Sequence, residues 1–296
     1  MSGVLNTDGS RTVIAAGLDS KAVELVGKAW NDRRVGVTAD LRGIWVRPDG
    51  SAVMAGGHGL LLSYDGEGRF GTIDSGVTAD LNAVSGDVVV CASGTILSLS
   101  GNLVSTVPSG TDEALTDVWT GKDGSWIVGA GGSVLHLSGG KVETLTALAG
   151  VPLTAVYSGD PDRVWMAGEG GVVHLRDATG IHPIETGTFS SLWDLWGGGD
   201  GKVWAVGDNG IVLSCAGTKC TRVHEEPASF LYGIGGTAPD RVMIVGWSGS
   251  VLKLEGGAVS ALDAGTHRVF RAVAGGAGGG PLYLVGLDGT FVKHIP

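Results

Sequence analysis

One pattern governs this chain. An apolar residue, two variable residues and a second apolar residue recur at Leu41-Arg-Gly-Ile44, Leu81-Asn-Ala-Val84, Leu115-Thr-Asp-Val118, Leu153-Thr-Ala-Val156, Leu192-Trp-Asp-Leu195, Leu231-Tyr-Gly-Ile234 and Phe270-Arg-Ala-Val273. Beyond most anchors, in the same unit, comes an apolar run ending in Gly-x-x-Gly, with glycine pairs 56/59, 129/132, 168/171, 207/210, 246/249 and 286/289. Each unit reads as four short strands: the Leu-x-x-Val strand, the strand ending at the first glycine, a strand such as SVLHLS or IVLSC, and a variable fourth. Short β-rich runs punctuated by Gly, Asp and Pro are strand signals, and no segment of useful length shows a helical period.

A period of roughly 40 residues with four strands per period predicts an all-β chain: a single β-propeller spanning 1–296, with blades of four antiparallel strands. The repeated hexapeptide GVTADL at positions 36–41 and 76–81 marks duplication of one blade. Gly17 precedes Gly56 by one such period, so the N-terminal stretch is in phase. That phase favours eight blades, with units starting near residues 2, 41, 81, 115, 153, 192, 231 and 270, and with Val4 and Leu5 as the first strand. In the seven-blade alternative Trp30 to Val37 closes the ring and residues 1–25 become an extension.

The 54 glycines fit many tight turns, and Gly-x-x-Gly between two strands is expected to supply positive φ at a hairpin. No helix follows these loops, so a phosphate cradle is not indicated. Trp45, Trp119 and Trp196 share one strand position, Trp165 and Trp204 another, as packing between blades requires. Net charge is −10 with Lys and Arg dispersed, which argues against nucleic acid and anionic membrane surfaces as partners. No apolar run approaches the roughly 20 residues of a membrane helix. The N-terminus carries no signal-peptide pattern, which favours a cytoplasmic location over secretion with a leader removed. A monomer is expected.

Cys91 in VVVCAS reads as a buried small hydrophobe. Cys215 and Cys220 flank a hairpin turn and form a disulfide if the strands face correctly, or remain thiols in a reducing compartment. HExxH, GxSxG, CxxC and Walker sequences are absent, and no cofactor is expected. His136 and His174 occupy similar positions in adjacent units, which one exposed His per strand explains without a metal.

Variation concentrates in the turn inside Gly-x-x-Gly, which carries His58, Glu169, Asp208 with Asn209, Trp247 and Asp288. Links between units carry His182, His224 and the pair His267-Arg268. In a four-stranded blade both sets open on one face, the usual arrangement of a binding surface on a rigid scaffold. The leading expectation is a non-catalytic recognition propeller binding a peptide or protein there. The alternatives are a lectin, on the aromatic and Asp/Asn residues Trp247, Asp208 and Asn209, and a hydrolase or lyase using His58, His224 and His267 near the central channel.

The blades LTDVWTGKDGSWIVGAGGSVLHL and LWDLWGGGDGKVWAVGDNGIVLS resemble those of the photosystem II stability/assembly factor-like propellers and of the wider sialidase-type BNR-repeat group. The stretch Ser63-Tyr-Asp65-Gly-Glu-Gly-Arg-Phe70 approaches the Asp box of that group, with Glu67 in place of its glycine and Phe70 in place of its tryptophan. The resemblance implies the propeller fold and functions ranging over assembly factors, sugar-binding proteins and glycoside hydrolases. A sialidase's arginine triad and Tyr/Glu pair are not matched.

Overall fold

The computed structural model describes residues 12–17, 21–26, 29–33, 38–145, 148, 150–160, 162–264, 266–275 and 281–294, the first three segments by their backbone alone. Val4 and Leu5 lie outside the described residues. The chain forms a seven-bladed propeller of antiparallel blades. The inner strands are Leu41–Val46, Leu81–Ser85, Leu115–Gly121, Leu153–Asp160, Leu192–Gly197, Leu231–Ala238 and Phe270–Gly275, and define blades 1 to 7. Each packs beside the next, and the seventh packs beside the first, which closes the ring.

Blade 5 shows the plan: Leu192–Gly197, Val203–Gly207, Val212–Ala216 and Lys219–His224 pair in sequence order, with Trp196 opposite Trp204 and Cys215 opposite Cys220. The second strand of each blade is buried along its length, save a half-buried first residue in three blades, because neighbouring blades cover both its faces. Its sequence is therefore a continuous apolar run such as VWAVG, not an alternating one. The fourth strand lies at the rim and alternates toward solvent. All seven leading anchors, Leu41 through Phe270, are fully buried between blades, each contributing roughly 1.5–3 kcal/mol of apolar burial. Trp126, Trp165 and Trp204 are buried, Trp119 and Trp196 pack against the cores of Trp126 and Trp204, and Trp45 packs against the core between blades 1 and 2.

The expectation of eight blades is corrected to seven. The N-terminal strands Thr12–Gly17, Lys21–Val26 and Ala29–Arg33 form a three-stranded sheet that gives no inner strand to the ring. Instead, Thr12–Gly17 runs alongside Thr290–His294, the outermost strand of blade 7 after the C-terminal chain has supplied three. The alternative closure by Trp30 to Val37 is also corrected, since Ala29–Arg33 is the far strand of that sheet and residues 34–37 lie outside the described ones.

The glycine expectation holds for only half of each pair. The second glycine has positive φ, as at Gly210 (60°) and Gly249 (77°). The first is extended, as at Gly168 (−166°) and Gly246 (−167°). It is glycine because a Cβ on Gly207 would run into the Ser191 carbonyl, and one on Gly246 into that of Phe230. That approach lets the next N–H bond the chain entering the inner strand, from Asp208 to Ser191 O at 2.9 Å and from Trp247 to Phe230 O at 2.9 Å. Gly57, Ala92, Ala130, Glu169 and Leu287 make the same bond in the other five blades, so turn and link meet on one face throughout.

Cys215 and Cys220 form a disulfide across their strand pair, buried in the core between blades 4 and 5. Cys91 is a buried free thiol that burial pushes up to about 11. In the Asp-box-like stretch, Asp65 Oδ1 accepts the N–H groups of Glu67, Gly68 and Arg69 at 2.8, 3.0 and 3.0 Å.

Candidate functional site

Every inner strand begins with the same irregularity. The register shifts between the leading anchor and the residue two places on, from Leu41/Gly43 through to Phe270/Ala272. A bulge re-aims the side chain of its extra residue. The seven intervening residues, Arg42, Asn82, Thr116, Thr154, Trp193, Tyr232 and Arg271, converge with Asp40 and Leu287 on one cavity of about 410 Å³. This is the mouth of the central channel, and each blade donates one side chain to it.

Most of these side chains are tied to the neighbouring blade. Arg42 donates to Asn82 Oδ1 at 3.0 Å and to Asp80 Oδ2 at 2.7 Å. Asn82 donates to Leu115 O at 2.7 Å, Thr116 to Leu153 O at 2.7 Å, and Thr154 to Leu192 O. Trp193 Nε1 donates to Asp208 Oδ1 at 2.6 Å. The Arg271 guanidinium stands 4.3 Å from the Tyr232 ring, and among the described residues no carboxylate pairs with it. The mouth is thus a rim fixed by cross-blade bonds, in which Arg271 has no ion-pair partner among the described residues and the Asp40 carboxyl lines the same cavity.

The duplicated GVTADL has a role here. Asp80 Oδ1 accepts the His58 N–H at 2.8 Å, and Asp40 Oδ1 accepts the Asp288 N–H at 3.0 Å. Each aspartate caps the turn of the preceding blade, where His58 and Asp288 have φ of 57° and 56°. The His58 N–H first, and then the Arg42 guanidinium, hold the Asp80 carboxyl below the usual carboxylate range.

Deeper in the channel, the position after the mouth residue is Gly43, Ala83, Ala155, Gly233 or Ala272 in five blades and Asp117 or Asp194 in two. Asp117 Oδ2 accepts the Val156 N–H and Asp194 Oδ2 the Ile234 N–H, both at 2.8 Å. Burial pushes Asp117 up to about 7. Asp194 is raised well above its ordinary value by burial and then by the nearby Asp117 charge.

Of the residues singled out by sequence, Asp208 bonds the mouth residue Trp193, and the Asp288 turn contributes Leu287 to the rim. Asn209 bonds Ser190 Oγ at 3.0 Å, and Arg268 lies 3.8 Å from Asp288. Glu169, Trp247 and His267 are exposed outside the cavity. His58 lines a separate open depression with Thr38 and Ser75. His182 and His224 sit on outer strands rather than in links, and the His224 Nε2 is buried without a partner. His58, His224 and His267 do not share the channel mouth. Among the described residues no three His, Cys, Asp or Glu side chains stand close enough to hold a metal ion.

The mouth residues escaped the sequence reading because they are the variable places of the motif that defines the repeat. Their signal is composition: two arginines, two aromatics, an asparagine and two threonines stand where a buried strand would carry aliphatic residues.

No protein-family model matches the chain, and no curated protein matches it in sequence. Solved structures do match in shape. YCF48 from Cyanidioschyzon merolae is 14% identical with a TM-score of 0.71, covering 88% of this chain and 96% of its own. YCF48 bound to D1 peptide is 14% identical with a TM-score of 0.72, over 99% and 97%. A catalytically inactive virginiamycin B lyase from Staphylococcus aureus, with quinupristin, is 13% identical with a TM-score of 0.79, over 97% and 100%. At these identities the likeness establishes the propeller fold that the repeat predicted.

Proposed function

We propose that this chain is a non-catalytic recognition propeller that holds a peptide segment of a partner protein at the mouth of its central channel. The observation that carries the proposal is Arg271: a guanidinium held on Tyr232, inside a cavity of about 410 Å³, with no carboxylate among the described residues in ion-pair contact with it. The Asp40 carboxyl of the same cavity is held on the Asp288 N–H. A peptide supplies a carboxylate for that charge and backbone carbonyls for the rim. The rim's cross-blade bonds fix it before a ligand arrives, so less ordering cost opposes binding. A similar propeller, YCF48, has been solved bound to D1 peptide, which supports a peptide ligand for this fold.

The test is to pan random peptides displayed on phage against the full chain, and then against Arg271→Gln. The expected result is enrichment of peptides carrying Asp, Glu or a free C-terminal carboxylate, with at least tenfold weaker binding to the variant. Failure to enrich any peptide, or equal binding by both proteins, overturns the proposal.

A further inference from the structure

Six large apolar side chains among the described residues are exposed: Leu103, Phe189, Val223, Phe230, Trp247 and Leu262. Leu103, Val223 and Leu262 lie singly on outer strands of different blades, where scattered apolar residues need no explanation. The three aromatics behave differently. Phe189 is 94% exposed, Trp247 49% and Phe230 39%, and all three lie in the links and turns of the face that holds the channel mouth.

Hydrogen bonds join their segments into one sector. Phe189 precedes Ser190, whose Oγ accepts from Asn209 at 3.0 Å. Asp208, next to Asn209, forms a β-bridge with Phe230. The Phe230 carbonyl accepts the Trp247 N–H at 2.9 Å. Two residues after Phe230 in the same extended segment comes Tyr232, and over its ring stands Arg271. These linked segments therefore place exposed aromatics of blades 5 and 6 in the sector of the face that leads to Arg271 at the mouth. Exposed aromatics gathered in one sector of a surface point to an interaction site, and rigid aromatic side chains are the usual anchors of one.

Charge gives the sector a direction. Glu169 lies in the turn beside the Phe189 link, and Glu226 donates its N–H to Asn209 O, so both exposed carboxylates flank the aromatic end. The Arg222 guanidinium, bonded to Gly187 O two residues before Phe189, is paired with Glu225. Arg268 lies 3.8 Å from Asp288, so among the described residues Arg271 is the cation of this sector without an ion-pair partner. Two residues of extended chain span about 6.6 Å, and the step from the Tyr232 ring to the guanidinium adds 4.3 Å. Arg271 thus lies within the reach of a few residues of extended peptide from Phe230.

We infer that the partner segment is an extended peptide carrying an aromatic or large aliphatic side chain within a few residues of a carboxylate, the apolar group on Phe230 and Trp247 and the carboxylate on Arg271. This rests on the peptide-binding reading above and names the ligand chemistry for that same site. The geometry accepts either an Asp or Glu side chain or a C-terminal carboxylate as the anion.

The test uses the full chain and synthetic fluorescein-labelled peptides built on a Gly-Ser backbone, each with one Phe and one Asp separated by one, three or six residues. Controls replace Phe by Ala, replace Asp by Asn, or carry a lone C-terminal carboxylate in place of Asp. Binding is read by fluorescence anisotropy with wild type, Trp247→Ala, Phe230→Ser and Arg271→Gln, each checked for unchanged circular dichroism. The expected result is binding that changes with the separation and is weakened at least fivefold by Trp247→Ala or Phe230→Ser. Those two substitutions should have no further effect on the Phe-to-Ala peptide. If Arg271→Gln weakens binding while the aromatic variants and the spacing do not matter, the inference falls and peptide binding at the mouth stands. If no variant changes binding, or no peptide binds, both fall.

Discussion

Gly207→Ala tests the account of the blade turn. The residue is in extended backbone, so alanine meets no conformational penalty of its own, and the whole cost comes from space. The new Cβ would overlap the Ser191 carbonyl and press on Leu192 Cα. The link must move away, which breaks the 2.9 Å bond from Asp208 N–H to Ser191 O and loosens Asp208, the partner of Trp193. Overpacking costs about 1–3 kcal/mol, and a buried N–H left without its acceptor about 1–3 kcal/mol more. Partial relaxation leaves an expected loss of roughly 2–4 kcal/mol, or about 3–6 °C in Tm for a domain of this size. Differential scanning calorimetry measures it. Gly76→Ala is the control, since Gly76 has φ of 70° and no atom within 4 Å of the added Cβ, so its cost is conformational, about 1–2 kcal/mol. Blade 2 supplies an internal comparison: Cys91 occupies the equivalent place at the end of a shorter second strand, Val88–Cys91, and Ala92 keeps its bond to Asp80 O at 2.9 Å. A Gly207→Ala protein whose Tm stays within about 1 °C of wild type would refute the steric account.

Four further outcomes are expected. The raised carboxyl of Asp117 keeps its proton in the folded protein up to about pH 7 but releases it near pH 4 in the unfolded chain. This group's contribution to stability is therefore fully present below about pH 4, falls as pH rises toward 7 and is constant above. Asp117→Asn, which still accepts from Val156 N–H, should gain Tm relative to wild type as pH is raised from 4 to 8, and a flat difference across that range contradicts the assignment. Reducing the Cys215–Cys220 bond, which closes a loop of a few residues, should cost about 2 kcal/mol, seen as a lower urea midpoint with dithiothreitol than without. Asp80→Ala removes both the turn cap at His58 and the partner of Arg42, and should lower stability by roughly 1–2 kcal/mol while strengthening binding of anionic peptides, as a titration with the peptides above would show. Tyr157→Phe loses the 2.6 Å bond to Gly197 O between blades 4 and 5 and should cost about 1 kcal/mol in chemical denaturation.

The architecture was legible because burial imposes it on every blade. Seven leading anchors must be large and apolar, and seven second strands are covered on both faces, so the period survives where almost no residue is shared. Blade number was not legible in the same way. Phase counts repeat units, whereas ring size depends on which strands meet, and only the packing of Phe270–Gly275 on Leu41–Val46 sets it at seven. The site was hidden for a related reason. Strand periodicity assigns side chains to alternate faces, and a bulge breaks that alternation, so Arg42 and Arg271 sat in the motif's blank places. Turn residues such as His58 and Asp288 drew notice as variable, yet the backbone explains part of that choice through their left-handed φ. Asp117 and Asp194 were visible as letters of the repeat, but nothing in one strand reveals that the next blade's N–H groups point at their carboxylates.

The bulge at the head of each inner strand separates specificity from folding. The scaffold depends on residues one place before and two places after it, which stay apolar in every blade, while the bulged residue itself is spelled R-N-T-T-W-Y-R around the ring. The channel mouth is in effect a seven-letter word, one letter per blade, that can be rewritten a letter at a time at the cost of a cross-blade hydrogen bond in four of the seven places, with the buried apolar grammar of the fold left intact. A propeller of this kind can change its ligand by single substitutions, and a library confined to those seven codons should hold many folded proteins with new preferences.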